Sequence, residues 1–266
     1  MPVLFFLVSL CASVIGAICG IGGGVIIKPF LDMLNLAGVA EASFLSGATV
    51  LAMSSYSVVK SVRARDGLLE MAVTTPLAVG AVVGGITGKS VFSAVRAATG
   101  HPATAGIFQS ACLLALVLGT LAYTLYADRI RTLRMRGWGI GLSIGLALGF
   151  FSSFLGIGGG PMNLVVLAYF YSMEVKTAAQ NSLYIILFSQ AANLLWTIIQ
   201  GDVPTFDRLA LAVMVAGGIC GGVAGRRINA RISSRAVDRL FQVLLFVIMA
   251  ICIFNIRQFA VMAGHL

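Results

Sequence analysis

Long apolar runs alternate with short polar connectors along the chain, and ten apolar segments can be marked. In the first half they cover 3–18, 25–36, 40–62, 68–95 and 105–127; in the second, 138–155, 162–173, 177–200, 206–225 and 237–259. Most approach or exceed the ~20 residues that a membrane helix needs. They are too long, and too little alternating, for barrel strands. Segments 25–36 and 162–173 differ: a helix of that length reaches only ~18 Å, against a hydrocarbon core about 30 Å thick. Each follows the same five letters, Gly20-Ile21-Gly22-Gly23-Gly24 and Gly156-Ile157-Gly158-Gly159-Gly160. Such glycine runs break a helix, because glycine weakens helix interiors and admits unusual backbone angles. Pro161 then suits the first turn of a new helix, where its missing N–H is not needed. The pattern predicts two hairpins, each a helix that enters the apolar layer, turns at the glycines and returns as a short helix.

The chain therefore contains one unit twice. A shift of 136 superposes the two glycine runs and pairs Ala42 with Ala178, Ser46 with Ser182, Leu51 with Leu187, Asp66 with Asp202 and Gly85 with Gly221. The expected organisation is an N-terminal membrane repeat at 1–127, a basic linker at 128–136 and a C-terminal membrane repeat at 137–266. Connector charges orient them. Arg129, Arg131, Arg134 and Arg136 mark the linker as cytoplasmic, and Arg226, Arg227, Arg231 and Arg235 mark the 226–235 connector likewise. Lys60, Arg63 and Arg65 put the turn before Leu68 on that side too, whereas 201–205 holds Asp202 and no basic residue. With three full crossings and one hairpin per half, the second unit is inverted and both termini lie outside. A broken helix that crosses once would instead give a parallel repeat and put 63–65 and 128–136 on opposite faces. Arg96, in a loop assigned to the outside, runs against the pattern.

Composition narrows the class. Hydrophobic residues make up 59% of the 266 residues, charged residues 10%, and the mean hydropathy is +1.00. Soluble domains carry about 25% charged residues, so the chain reads as an all-α integral membrane protein, the bilayer being its main partner. The net charge of +9 falls mostly between apolar runs, which suits membrane anchoring and not nucleic acid. Cys11, Cys19, Cys112, Cys220 and Cys252 read as small buried hydrophobes. No cluster has metal-ligand spacing, no P-loop occurs, and no cofactor is expected. The apolar N-terminus lacks a basic leader region and reads as part of the mature protein.

The duplicated glycine turn, each copy followed by a short apolar helix and three longer ones, resembles the TauE/SafE family of membrane permeases. Gly158-Gly159-Gly160-Pro161 and Gln180-Asn181-Ser182 strengthen the resemblance, which covers about residues 5–260; Val25, standing where the second repeat has Pro161, departs from it. The resemblance implies movement of small sulfur oxyanions, such as sulfite, thiosulfate or organosulfonates, across the bacterial inner membrane. A passive anion channel and a transporter of non-sulfur carboxylates remain as alternatives. An embedded enzyme is disfavoured, since the helices carry no His pair, no H-E-x-x-H and no pair of aspartates.

Candidate site residues follow from helix ends and buried polarity. A short helix beginning inside the membrane offers unpaired N–H groups and a favourable dipole to an anion. Gly22, Gly23, Gly24, Gly158, Gly159 and Gly160 are expected to supply backbone donors and room, and Asn163, Asn181 and Gln190 side-chain donors. Glycine packing and interhelical hydrogen bonding are the competing explanations. The stretches 84–88 and 217–222 are assigned to packing. Lys28 and Asp32, at i, i+4, can pair; Lys28 is either half of a structural pair or a cation that attracts the anion. Proton or sodium coupling is left open, and the sequence does not set the oligomeric state.

Overall fold

The apolar segments each become one helix in the structure, a computed structural model that describes residues 2–64, 67–99, 102–156, 159–262 and 264. They are α1 (Pro2–Cys19), α2 (Gly24–Met33), α3 (Val39–Ala64), α4 (Met71–Thr99), α5 (Pro102–Tyr126), α6 (Trp138–Leu155), α7 (Gly160–Tyr171), α8 (Val175–Ile199), α9 (Arg208–Arg231) and α10 (Ser234–Met262). Among the described residues there is no strand, and eight helices, all but α2 and α7, are long and apolar enough to cross a membrane. Gly158, with Ile157, lies outside the described residues, as do Arg65 and Asp66.

The two short helices turn back. In the second half, the chain just before α6 donates backbone hydrogen bonds from Leu133 and Met135 to Tyr169 and Phe170 at the end of α7, at 2.7 and 2.8 Å. Ser172 closes α7 in a left-handed conformation and donates to Leu133 O at 3.0 Å. The end of α7 thus sits beside the connector that leads into α6. In the first half, Phe5 near the start of α1 shares an apolar cluster with Ile27 and Leu31 of α2. Between these ends, every residue from Gly16 to Val25 is buried. Gly22, Gly23 and Gly159 take positive φ, where a side chain would strain the backbone. Pro161 occupies the first turn of α7.

Helices of the two halves pair reciprocally. α4 packs along α6 as α9 packs along α1, α3 meets α9 as α8 meets α4, and α3–α8 and α5–α10 complete the set. Glycine stripes make the closest pairs. A Cβ on Gly80, Gly84 or Gly88 would collide with the α6 backbone at Leu142, Leu146 or Phe150, and one on Gly217, Gly221 or Gly225 with α1. Small residues at this spacing let helix backbones approach closely in a membrane. The structure moves one assignment. Gly84, not Gly85, is the packing residue equivalent to Gly221; Gly85 instead faces Ser153 and Asn193.

Candidate functional site

The turn after α6 opens onto a cavity of about 440 Å³. Gly156, left-handed at the C-cap of α6, forms part of its floor together with Ser152 and Ser153. The walls are the first turns of α3 (Ser43, Phe44, Gly47), the last turns of α4 (Lys89, Phe92, Ser93) and the last turns of α8 (Gln190, Asn193, Thr197). Gln109 enters from α5, and Asp202 and Pro204 from the α8–α9 loop. Five helices thus contribute, each with the end that lies toward the 201–205 loop.

The polar groups are mostly donors. Lys89 Nζ contacts Thr197 Oγ1 and the Asn193 carbonyl, which holds the ammonium at the α4–α8 seam beside the cavity. Thr197 in turn donates to Asn193 O at 2.7 Å, and Asn193 Nδ2 donates to Ser153 Oγ at 2.6 Å. Gln190 is 6% exposed and makes no side-chain hydrogen bond with another described residue. Its amide opens onto the cavity, where water or a ligand can complete it. Asp202 is the single acidic residue among the described lining residues.

Lys28 lies behind this wall. Its ammonium donates to Asp32 Oδ2 at 3.1 Å and to Gln109 Oε1 at 2.8 Å, and the pair is buried. Gln109 Nε2 donates to the Phe154 carbonyl at 3.1 Å. That carbonyl is one of those left unpaired at the C-terminus of α6. The ammonium therefore fixes the amide with its oxygen toward Lys28 and its N–H groups toward the turn. The partial negative charge of a helix C-terminus opposes an anion, and Gln109 masks part of it.

The sequence-derived candidates fall into separate places. Gln190 lines the cavity, and Lys28 reaches it through Gln109. Gly22 is wedged between Ile186 and Val50, Gly23 faces the backbone at Ala12, and Gly160 abuts the Ile21 backbone. Gly24 is buried in the first turn of α2. The described parts of the two turns meet where Gly160 abuts Ile21, and the cavity lies beside Gly156. Gly159 lies against Ser152 and Asn163, and Asn163 is buried in the first turn of α7. Asn181 is consumed elsewhere. Its Nδ2 donates to Leu68 O and Thr177 O, both at 2.8 Å, and its Oδ1 accepts from Glu70 N at 2.9 Å and contacts the Thr74 hydroxyl. Those bonds engage residues 68–70 outside the helix, and α4 begins at Met71.

Lys89, Gln109 and Ser153 escaped the sequence reading. For Lys89 the signal was there: a lone cation inside an apolar run, which in a membrane helix marks a pathway or partner by default. The cysteines are all free, with Cys19 and Cys252 buried and Cys11 and Cys220 exposed. No group of metal-binding side chains occurs among the described residues.

A family model described as Sulfite exporter TauE/SafE matches residues 5–251. The chain is 25% identical over 233 residues to the Probable membrane transporter protein YunE of Bacillus subtilis (strain 168), covering 79% of this chain and 82% of that protein. No solved structure matches it. With a family match over nearly its whole length, a helical body built from membrane-length segments and a polar cavity beside a glycine turn, the chain belongs to the TauE/SafE sulfite exporter family and is a multi-pass membrane transporter.

Proposed function

We propose that the protein is a secondary transporter of small sulfur oxyanions, such as sulfite, thiosulfate or an organosulfonate, in the bacterial inner membrane. The observation that carries this reading is the cavity wall. It presents a cation, Lys89, three carboxamides able to donate, Gln109, Gln190 and Asn193, and several hydroxyls, with one carboxylate at Asp202. A pyramidal or tetrahedral oxyanion offers three outward oxygens, each of which accepts hydrogen bonds, and suits donors converging from different helices. A cavity of about 440 Å³ falls in the range of small-molecule sites. Lys89 is already hydrogen-bonded by Thr197 and Asn193, so its ammonium is partly satisfied and the anion is held weakly enough to leave. Broken helices framing a central site between repeats fit such a transporter. Connector arginines support a cytoplasmic linker, so the cavity opens to the periplasm.

The test is uptake and efflux in proteoliposomes, with sulfite, thiosulfate, sulfoacetate and acetate compared. Accumulation of a sulfur oxyanion against its gradient, with acetate excluded, is the expected result; equal flux of all four, down-gradient only, is that of a passive channel and refutes the reading. Gln190→Leu adds a site-specific check. It removes an amide that no described protein group uses, so folded yield should hold while sulfite-dependent thermal stabilisation falls.

A further inference from the structure

We propose that Arg226 is a second anion-facing cation, the counterpart of Lys89, in a vestibule that opens on the opposite face when the present cavity closes. The proposal rests on the anion-transport reading above. The repeat supplies the correspondence: a shift of 136 places Asn193 on Ser57, Thr197 on Ser61, Gly156 on Gly20 and Ser43 on Ala179. One residue more, 137, places the stripe Gly80, Gly84, Gly88 on Gly217, Gly221, Gly225, and Lys89 on Arg226. The same bond then recurs in both halves. Lys89 Nζ donates to the Asn193 carbonyl at 3.5 Å, and Arg226 Nη1 donates to the Ser57 carbonyl at 3.0 Å. In each case a cation in the second half of one repeat's second crossing helix bonds a carbonyl of the other repeat, α4 to α8 and α9 to α3.

The two equivalent places differ in being open or shut. At Gly156 a Cβ would stand 3.2 Å from Ser43 Oγ, at the edge of the cavity. At Gly20 it would collide with the Ala179 backbone and lie 2.5 Å from the Ala179 side chain. α8 is packed against α1 and α10, while the equivalent contacts of α3 with α6 and α5 are looser, and the cavity occupies that space. Arg226 sits on the shut side, donating also to Gln180 Oε1 at 3.3 Å, and Gln180 is buried. A molecule of two like halves, one parted and one closed, has a second arrangement available in which the halves exchange conformations. In that arrangement Gly20 parts from Ala179, and Arg226, Gln180 and Ser57 line the exit as their equivalents Lys89, Phe44 and Asn193 line the entry.

Sulfite exchange in proteoliposomes and sulfite-dependent thermal stabilisation, measured on the full-length protein, separate the outcomes. Arg226→Leu should still be stabilised by sulfite, because the present cavity is intact, yet lose exchange by at least about tenfold, since the lost interaction serves a later step. Lys89→Leu should lose both. Arg226→Lys keeps a cation where Lys89 already shows an ammonium to be compatible, and should exchange within about threefold of wild type. Wild-type exchange by folded Arg226→Leu would overturn the proposal, and so would loss of sulfite stabilisation in it as deep as in Lys89→Leu. Should Arg226→Leu fail to fold, Arg226→Lys decides: exchange near wild type supports a cation role, and its loss overturns it. Absence of both exchange and stabilisation in the wild type would instead refute the anion reading itself.

Discussion

Lys28 Nζ donates to Gln109 Oε1 at 2.8 Å across 81 residues of chain, and this single bond decides which end of the Gln109 amide faces the α6 turn. A cation that does not line the cavity thereby shapes one of its walls. The same ammonium neutralises Asp32, whose second oxygen, Oδ1, is buried without a partner among the described residues.

Removing Lys28 alone should therefore be severe. Lys28→Met leaves the Asp32 carboxylate buried and unpaired, a change worth about 3–5 kcal/mol, and folded protein should nearly vanish in fluorescence-detected size exclusion. Lys28→Met/Asp32→Leu removes both charges and should recover most of it. The second half already carries Leu164 at the position equivalent to Lys28. In the recovered protein Gln109 can turn over, so sulfite should stabilise it less than wild type. Unaltered stabilisation would detach Lys28 from the cavity.

Asn181 should matter for folding and not for binding. Asn181→Leu removes its hydrogen bonds with Leu68 O and Glu70 N at the entrance to α4, and each lost hydrogen bond costs about 0.5–1.5 kcal/mol. The melting temperature of purified protein should drop, while the sulfite concentration giving half-maximal stabilisation stays put. A shift in that concentration would return Asn181 to the site.

Adjacent glycines on α4 should behave oppositely. Gly84→Ala drives a methyl into the Leu146 carbonyl of α6, and folded yield should collapse. Gly85→Ala meets Ser153 Oγ at 3.0 Å and Asn193 Oδ1 at 3.5 Å, both side chains of the cavity wall. It should fold and bind sulfite differently. The turn variants Gly23→Ala and Gly159→Ala strain positive-φ positions and should lose yield first. Equal yields for Gly84→Ala and Gly85→Ala would contradict the α4–α6 contact described here.

Orientation is open to direct labelling. In a cysteine-free background, Val203→Cys should react with an impermeant thiol reagent on intact cells, because it lies in the loop beside Asp202 and Pro204 at the cavity mouth. Arg131→Cys should react only after permeabilisation. The reverse pattern would invert the assignment drawn from the connector arginines.

The helical class, the ten segments, both glycine turns and the duplication are all written locally. Apolar length, a run of glycines and a repeated order of segments depend on neighbours in sequence, so one chain suffices to read them. Even Gln190 was recoverable, as a buried amide in an apolar helix. What the helices do with their polar groups was not. In a membrane helix a polar side chain has two outlets, another helix or a water-filled space, and sequence does not distinguish them. Asn181 and Gln190 lie on the same helix, yet the first is spent on the start of α4 and the second faces the cavity. That division depends on the register of α8 against α4, more than a hundred residues away along the chain. Likewise Gly160 abuts the Ile21 backbone so closely that a Cβ there would collide with it. The space opens instead beside Gly156, because Ser43 stands there where the other half brings Ala179 hard against Gly20, and only the packing of α3 and α8 against the two hairpins decides which side parts.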